Sequence, residues 1–196
     1  VFMHLEVQGR AAHSGGNYAD GRSAIGALAH KIIALHAITD LDRGITVNVG
    51  LISGGQSVNT VAPRATCEID LRYVTPSDRD DAMSRIAAIV ADTHVPDTRA
   101  QLTIKGEFLP LVQDAASRAL FETYARVSAQ HGLRIEGEFA GGCADSGFTA
   151  SVGCPTLCAV GPVGGKAHSP EEYLEVASLV PRARAIAETL AAAATA

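Results

Sequence analysis

The order in which hydrophobic period changes along the first 107 residues limits the folds open to this chain more than any other feature. Val1 to Gly9 alternates, with Val1, Met3, Leu5 and Val7 on one face and Phe2, His4, Glu6 and Gln8 on the other, as in a half-buried strand. A helical stripe follows from an Asp20 cap to about Ala37, made by Ile25, Leu28, Ala29, Ile32 and Leu35 or His36. Two further strands are expected, one near Ile45 to Ile52 and one from Ala65 to Val74, the latter with Cys67, Ile69 and Leu71 on one face. Thr75 and Pro76 then open a helix carrying Met83, Ile86, Ala87 and Val90 and ending near His94. Gln101 to Glu107 closes the set as a strand. The order β-α-β-β-α-β is the split βαβ, ferredoxin-like arrangement.

After Pro110 the rhythm changes. Asp114 caps a helix that Gly132 closes, Leu133 to Phe139 reads as a short strand, and Phe148 to Val152 as a short helix. Thr156 to Val160 reads as a buried strand, and Ser178 caps a last helix that tolerates Pro181 in its first turn. Alternating helix and buried strand implies a parallel-type layer. Two strands and three helices leave much apolar surface uncovered, so residues 108–196 are expected to be part of a domain. The fold class expected is therefore α+β, with a ferredoxin-like domain over 1–107 and an incomplete α/β segment over 108–196. Val1 already belongs to a strand, so the chain is expected to be a piece of something longer.

Composition narrows the function classes. Apolar content of 47% and charged content of 19% fit a soluble globular protein. The net charge of −5, with no basic run, argues against nucleic acid or an anionic membrane as partner. No stretch approaches the ~18 apolar residues of a membrane span. Cys67, Cys143, Cys154 and Cys158 lack the spacing of a secreted disulfide framework, which makes a reducing cytoplasm the default. Cys154 and Cys158 are read as small buried hydrophobes on one face of a strand. A zinc site joining them to His168 is the alternative, without a Cys-x-x-Cys knuckle to support it.

His168 lies in Gly164-Gly165-Lys166-Ala167-His168-Ser169-Pro170-Glu171-Glu172-Tyr173. Ser169 and Glu172 have capping-box spacing, with Pro170 suited to the first position of the turn. Such a loop fixes an imidazole at the end of a strand, where α/β proteins place chemistry. Taken locally, His168 reads first as a polar loop residue.

Three islands in order carry a family resemblance. They are Gly9-Arg10-Ala11-Ala12-His13-Ser14-Gly15, then Ser57-Val58-Asn59-Thr60-Val61-Ala62-Pro63 with Asp70-Leu71-Arg72-Tyr73, then Gly141-Gly142-x-x-Asp145 with Ala167-His168-Ser169-Pro170-Glu171-Glu172-Tyr173. Together they resemble the dinuclear-zinc aminoacylase and carboxypeptidase family of metallopeptidases. Gly21 to Ile25 and Thr46 to Gly50 look closest to its glutamate carboxypeptidase branch.

The resemblance implies a lid domain over 1–107 that forms a homodimer, and the C-terminal segment of a zinc-peptidase catalytic domain over 108–196. It implies that His168 is a zinc ligand and that His13 reaches into the partner subunit's active site to polarise the scissile carbonyl. Asn59 and Arg72 are implied to hold the substrate and its carboxylate. The complete enzyme would bind two zinc ions and hydrolyse an amide next to a free carboxylate, in a small peptide or an N-acyl amino acid. The other ligands and the general-base glutamate would lie in a missing N-terminal catalytic half, so this chain alone is expected to bind no zinc and to be inactive. Ala144 departs from the serine or threonine of many relatives, and Asp145 reads as a loop-ordering carboxylate.

Taken one at a time, the residues have plainer readings: His13 as a solvated loop residue, Asn59 as a turn former, Arg72 as an ion-pair partner of Asp70 or Glu68. A different class of function is also open, a non-catalytic dimerisation module with His168 vestigial. A serine hydrolase built on Ser146, His168 and Asp145 is disfavoured, because no Gly-x-Ser-x-Gly elbow surrounds Ser146.

Overall fold

The computed structural model describes residues 1–194; the last two positions of the expected 108–196 segment lie outside the described residues. Two units separate at Phe108 and Leu109.

The first unit follows the alternation of its strands. Strands β1 (Phe2–Gln8), β2 (Thr46–Gly54), β3 (Arg64–Arg72) and β4 (Arg99–Gly106) form one sheet in the order β2-β3-β1-β4. All its pairings are antiparallel, with Leu5 opposite Cys67 on one side and Leu102 on the other. Helices α1 (Ala24–His36) and α2 (Pro76–Ala91) supply the second layer. Met3, Leu5, Val7, Cys67, Ile69 and Leu71 of the sheet share one buried cluster with Ala24, Leu28 and Leu35 of α1 and Ala82 and Ile86 of α2. Each fully buried leucine or isoleucine contributes about 1.5–3 kcal/mol, so this face holds the unit together. The mixed helix and antiparallel sheet fold is the expected ferredoxin-like arrangement.

Two details of α1 differ from expectation. Its cap is Ser23, whose side chain accepts from the Gly26 amide, while Asp20 ends a separate 3-10 turn, Tyr18–Asp20. The helix starts late because Arg22 pairs with Arg10 through two 2.9 Å backbone hydrogen bonds. Its buried face also includes Lys31, whereas Ile25 is exposed. The Lys31 ammonium donates to the Ile89, Val90 and Asp92 carbonyls at 2.8, 2.9 and 2.5 Å. These lie at the C-terminal end of α2, where carbonyls lack helical partners and the dipole favours a cation.

In the second unit, α3 (Ala115–Gln130) and α5 (Leu179–Ala193) pack through Tyr124, Val127 and Ala185. Asp114 caps α3 by accepting from the Ser117 amide, and Gly132 takes φ +72° beyond its end. Ser178 precedes α5 without capping it; its hydroxyl accepts from the Val163 amide and donates to the Glu175 carbonyl. A short helix, α4 (Ser146–Ser151), lies between them.

The expected strands at 133–139 and 156–160 form no ladder. Leu133, Ile135, Leu157 and Val160 only rest against the helical cluster. Apolar pattern makes a segment extended, but a strand also needs a neighbouring edge to take its amides and carbonyls. The only ladder among the described residues of this unit is β5 (Gly164–Gly165) with β6 (Tyr173–Leu174).

Candidate functional site

Beyond β1 the chain keeps pairing without forming a regular strand. The Gly9 amide donates to the Pro63 carbonyl at 2.8 Å, the Val61 amide to Ala12 at 2.9 Å and the Ser14 amide to Asn59 at 2.9 Å. His13 and Thr60 form an isolated antiparallel bridge. The loops at 9–17 and 57–63 therefore run side by side, and His13 and Asn59 are brought together at the end of the sheet. Gly9 is required by close approach, since a Cβ there would lie 2.0 Å from the Arg22 carbonyl oxygen.

His13 is exposed and held at several points. Its amide donates to Asn17 Oδ1 at 2.9 Å, its carbonyl accepts from the Asn17 amide at 3.2 Å, and its Nδ1 accepts from the Gly15 and Gly16 amides, each at 3.1 Å. Asn59 Oδ1 accepts from the Ser57 hydroxyl at 2.9 Å, and Ser57 Oγ lies 2.7 Å from Thr60 Oγ1. Neither the two glycine amides nor Ser57 and Thr60 were singled out by sequence reasoning. The only signal was the membership of Gly15, Ser57 and Thr60 in the two islands.

Arg72 ends β3, at the opposite end of the sheet from Asn59. The eight steps from Arg64 span about 26 Å at strand rise, so one chain does not bring Arg72 to His13. Arg72 Nε donates to both oxygens of Asp70, at 3.1 and 2.8 Å, and its guanidinium carbon lies 5.7 Å from the centre of the Phe2 ring. Asp70 is thus the ion-pair partner, while Glu68 meets His4 at 2.7 Å. Beside Arg72, a cluster anchors the chain as it leaves β4. Arg79 grips Glu107 with two bonds of 2.5 and 2.8 Å, and the Tyr73 hydroxyl donates to Glu107 at 2.8 Å. Arg79 holds the Glu107 carboxyl below its usual range, and burial followed by Glu107 pushes the Tyr73 phenol up to about 12.

His168 belongs to the second unit. Gly164 and Gly165 pair with Leu174 and Tyr173, closing the loop at its base. Within it Lys166 and His168 take φ +57° and +65°, a region uncommon for residues with a side chain. The Glu172 carboxylate accepts from the His168 amide at 3.2 Å, so the anticipated capping box closes one residue early and forms a turn. Ser169 Oγ accepts from the Glu171 amide and donates to the Lys166 carbonyl, and Lys166 pairs with Glu171.

Among the described residues no group of three or more His, Cys, Asp or Glu is placed to hold a metal ion. By themselves the residues present do not fit a zinc centre, and that includes Cys154, Cys158 and His168. The reading of Cys154 and Cys158 as buried hydrophobes is also corrected. Both are exposed, as is Cys143, and only Cys67 is buried, with its thiol pushed up to about 11 by burial. No helix of the described residues is long and apolar enough to cross a membrane.

The first unit is thus a four-stranded antiparallel sheet backed by two helices, with paired loops that present an imidazole and a carboxamide at one end. Residues 1–98 match the peptidase dimerisation domain of the M20 family, and the chain belongs to that family. Its relatives include a succinyl-diaminopimelate desuccinylase of Paraburkholderia xenovorans, 30% identical over 66% of this chain and 33% of that protein. Carboxypeptidase G2 of a Pseudomonas species is 22% identical over 93% of this chain and 44% of its own length. The crystal structure of a Staphylococcus aureus tripeptidase superposes with a TM-score of 0.79 at 21% identity, over 96% of this chain and 50% of that one. The chain spans about a third to less than half of the length of these two curated relatives.

Proposed function

We propose that this chain is the lid, residues 1–107, and the C-terminal catalytic segment, residues 108–196, of a zinc-dependent amide hydrolase of carboxypeptidase or N-acyl amino acid deacylase type. One observation carries the reading. The paired loops set His13 beside Asn59 at one end of a sheet whose other end carries Arg72. A separation of about 26 Å is too long for a small substrate to bridge. In a twofold dimer, one subunit supplies His13 and Asn59 and the other supplies Arg72 to the same site.

The roles follow from the residue types. His13 donates a hydrogen bond toward the oxygen on which negative charge develops. Asn59 holds the substrate, and Arg72, positioned by Asp70 and Phe2, pairs with its carboxylate. His168 would supply one ligand to a centre of two zinc ions. The left-handed backbone at His168 costs about 1–3 kcal/mol, a strain that functional residues often carry. The remaining ligands and a general-base glutamate come from an upstream catalytic half. The homodimer forms through the lid, where β2 is an edge strand with Leu51 and Ile52 exposed and α1 exposes Ile25 and Ile33. Free thiols at Cys143, Cys154 and Cys158 suit a reducing cytoplasm.

The test is hydrolysis of short peptides and N-acyl amino acids by this chain with zinc, alone and with the upstream half supplied in trans. The chain alone is expected to show no turnover, and the combination a turnover abolished by a chelator. Turnover by the chain alone, or an upstream half that neither binds nor restores hydrolysis, overturns the reading.

A further inference from the structure

The face of the sheet turned away from the helices carries a cleft made by one inserted residue. Along β2, Val47 and Val49 pair with Leu71 and Ile69 and face the core. Strict alternation would put Leu51 on that face as well. The register instead slips between Val49 and Leu51, so Gly50 is an extra residue and Leu51 falls opposite Glu68. Leu51 is thereby turned to the open face, where Phe2 of β1 and Asn48 of β2 both lie opposite Asp70. Phe2, Asn48, Leu51, Glu68 and Asp70 line a cleft of about 150 Å³. Gly50 keeps it open, since a Cβ there would stand 3.3 Å from Asn48 Nδ2.

Two of the lining residues also hold Arg72. Asp70 accepts from Arg72 Nε, and the guanidinium carbon lies 5.7 Å from the centre of the Phe2 ring. A substrate carboxylate paired with Arg72 therefore has the cleft beside it. A volume of about 150 Å³ is enough for a benzene-sized apolar group, and Phe2 and Leu51 offer it apolar surface. An acidic group would meet the opposite reception. Arg72 would already be shared between Asp70 and the substrate's carboxylate, so a further negative charge in the cleft would be repelled by Glu68 and Asp70.

We propose that this cleft is the subsite for the side chain of the residue whose carboxylate pairs with Arg72, and that it selects an apolar side chain of leucine size over an acidic one. Gly50 is the residue that determines this specificity. The substrate class is then an amide of an apolar amino acid. The assignment rests on the hydrolase reading above and on the role given there to Arg72; the cleft itself does not.

Amide chemical shifts of the 196-residue chain, followed while an N-acetyl amino acid is added, test the cleft without turnover. N-acetyl-leucine is expected to move Asn48, Gly50, Leu51 and Glu68, and N-acetyl-glutamate to leave them in place. In the complete enzyme proposed above, kcat/KM should favour N-acetyl-leucine over N-acetyl-alanine by about tenfold or more, as apolar pockets do for added methylenes. Gly50→Ala narrows the cleft and should lower that ratio severalfold. Glu68→Gln removes a like charge and should raise kcat/KM for N-acetyl-glutamate relative to N-acetyl-leucine.

The absence of leucine-induced shifts in the cleft, or larger shifts there with glutamate, overturns the subsite even if Gly50→Ala fails to fold. A leucine-to-alanine ratio that Gly50→Ala leaves unchanged overturns it as well. No turnover with any of these compounds would count against the hydrolase reading, and the shifts of the chain alone would still decide the cleft.

Discussion

Gly9 and Gly16 lie in the same loop, and the same substitution at each should give opposite results. Neither sits in the left-handed region, so alanine meets no backbone penalty at either. At Gly9 the new Cβ would stand 2.0 Å from the Arg22 carbonyl oxygen and 3.1 Å from the Ala24 amide nitrogen. Backbone must move by about 1 Å to reach an allowed contact, and overpacking of this kind costs about 1–3 kcal/mol. The movement also pulls apart the Arg10 to Arg22 pairing that leads into His13. At Gly16 the nearest atom stands at 3.6 Å, an ordinary contact. Thermal unfolding should show Gly9→Ala lowered by roughly 8 °C or more, taking about 2 kcal/mol at 4–8 °C per kcal/mol. Gly16→Ala should stay close to the unaltered chain. In the complete enzyme proposed above, a shift of about 1 Å at a positioned group costs on the order of a hundredfold in rate, so Gly9→Ala should also lose activity. Equal melting of Gly9→Ala and the unaltered chain would refute the close-approach argument.

Other consequences can be checked with the same material. Lys31→Met leaves three carbonyls at the end of α2 without their cation and should cost about 2 kcal/mol; hydrogen exchange should show that end of α2 opening first. Glu107 has a folded-state pKa held down by Arg79, so its contribution is present above the ordinary carboxylate range and is lost as pH falls through the lowered value. Urea titrations of Glu107→Gln and the unaltered chain should therefore differ at neutral pH and converge in strong acid. Leu51→Lys on the β2 edge should convert a dimer to a monomer by light scattering with little change in unfolding temperature, and a dimer that persists would place the interface elsewhere.

The sheet of the first unit was legible because β1 and β3 alternate without interruption, and the buried residues Met3, Leu5, Val7, Cys67, Ile69 and Leu71 are those the alternation predicts. What escaped were features fixed by distant partners. Asp20 and Ser23 are both good caps, and the choice between them is made by the Arg10 to Arg22 pairing. Lys31 falls on the buried face because its acceptors lie about sixty positions away, at Ile89, Val90 and Asp92. The capping box around Ser169 was read from spacing, but Glu172 turns back to His168 because a two-residue ladder closes the loop there. Segments 133–139 and 156–160 have strand composition without a strand beside them, so their pattern alone did not make a sheet. For the site, the islands gave His13, Asn59, Arg72 and His168. The hydrogen bonds that hold His13 and Asn59 required coordinates.

Mixing two inactive variants of the proposed complete enzyme tests the shared site most directly. One variant carries His13→Ala, the other His168→Ala. If His13 serves the partner subunit's centre, random exchange into twofold dimers leaves one intact site per heterodimer and restores about a quarter of the unaltered activity. If His13 serves the site of its own chain, no mixed dimer contains an intact site and the mixture stays inactive, which would contradict the account.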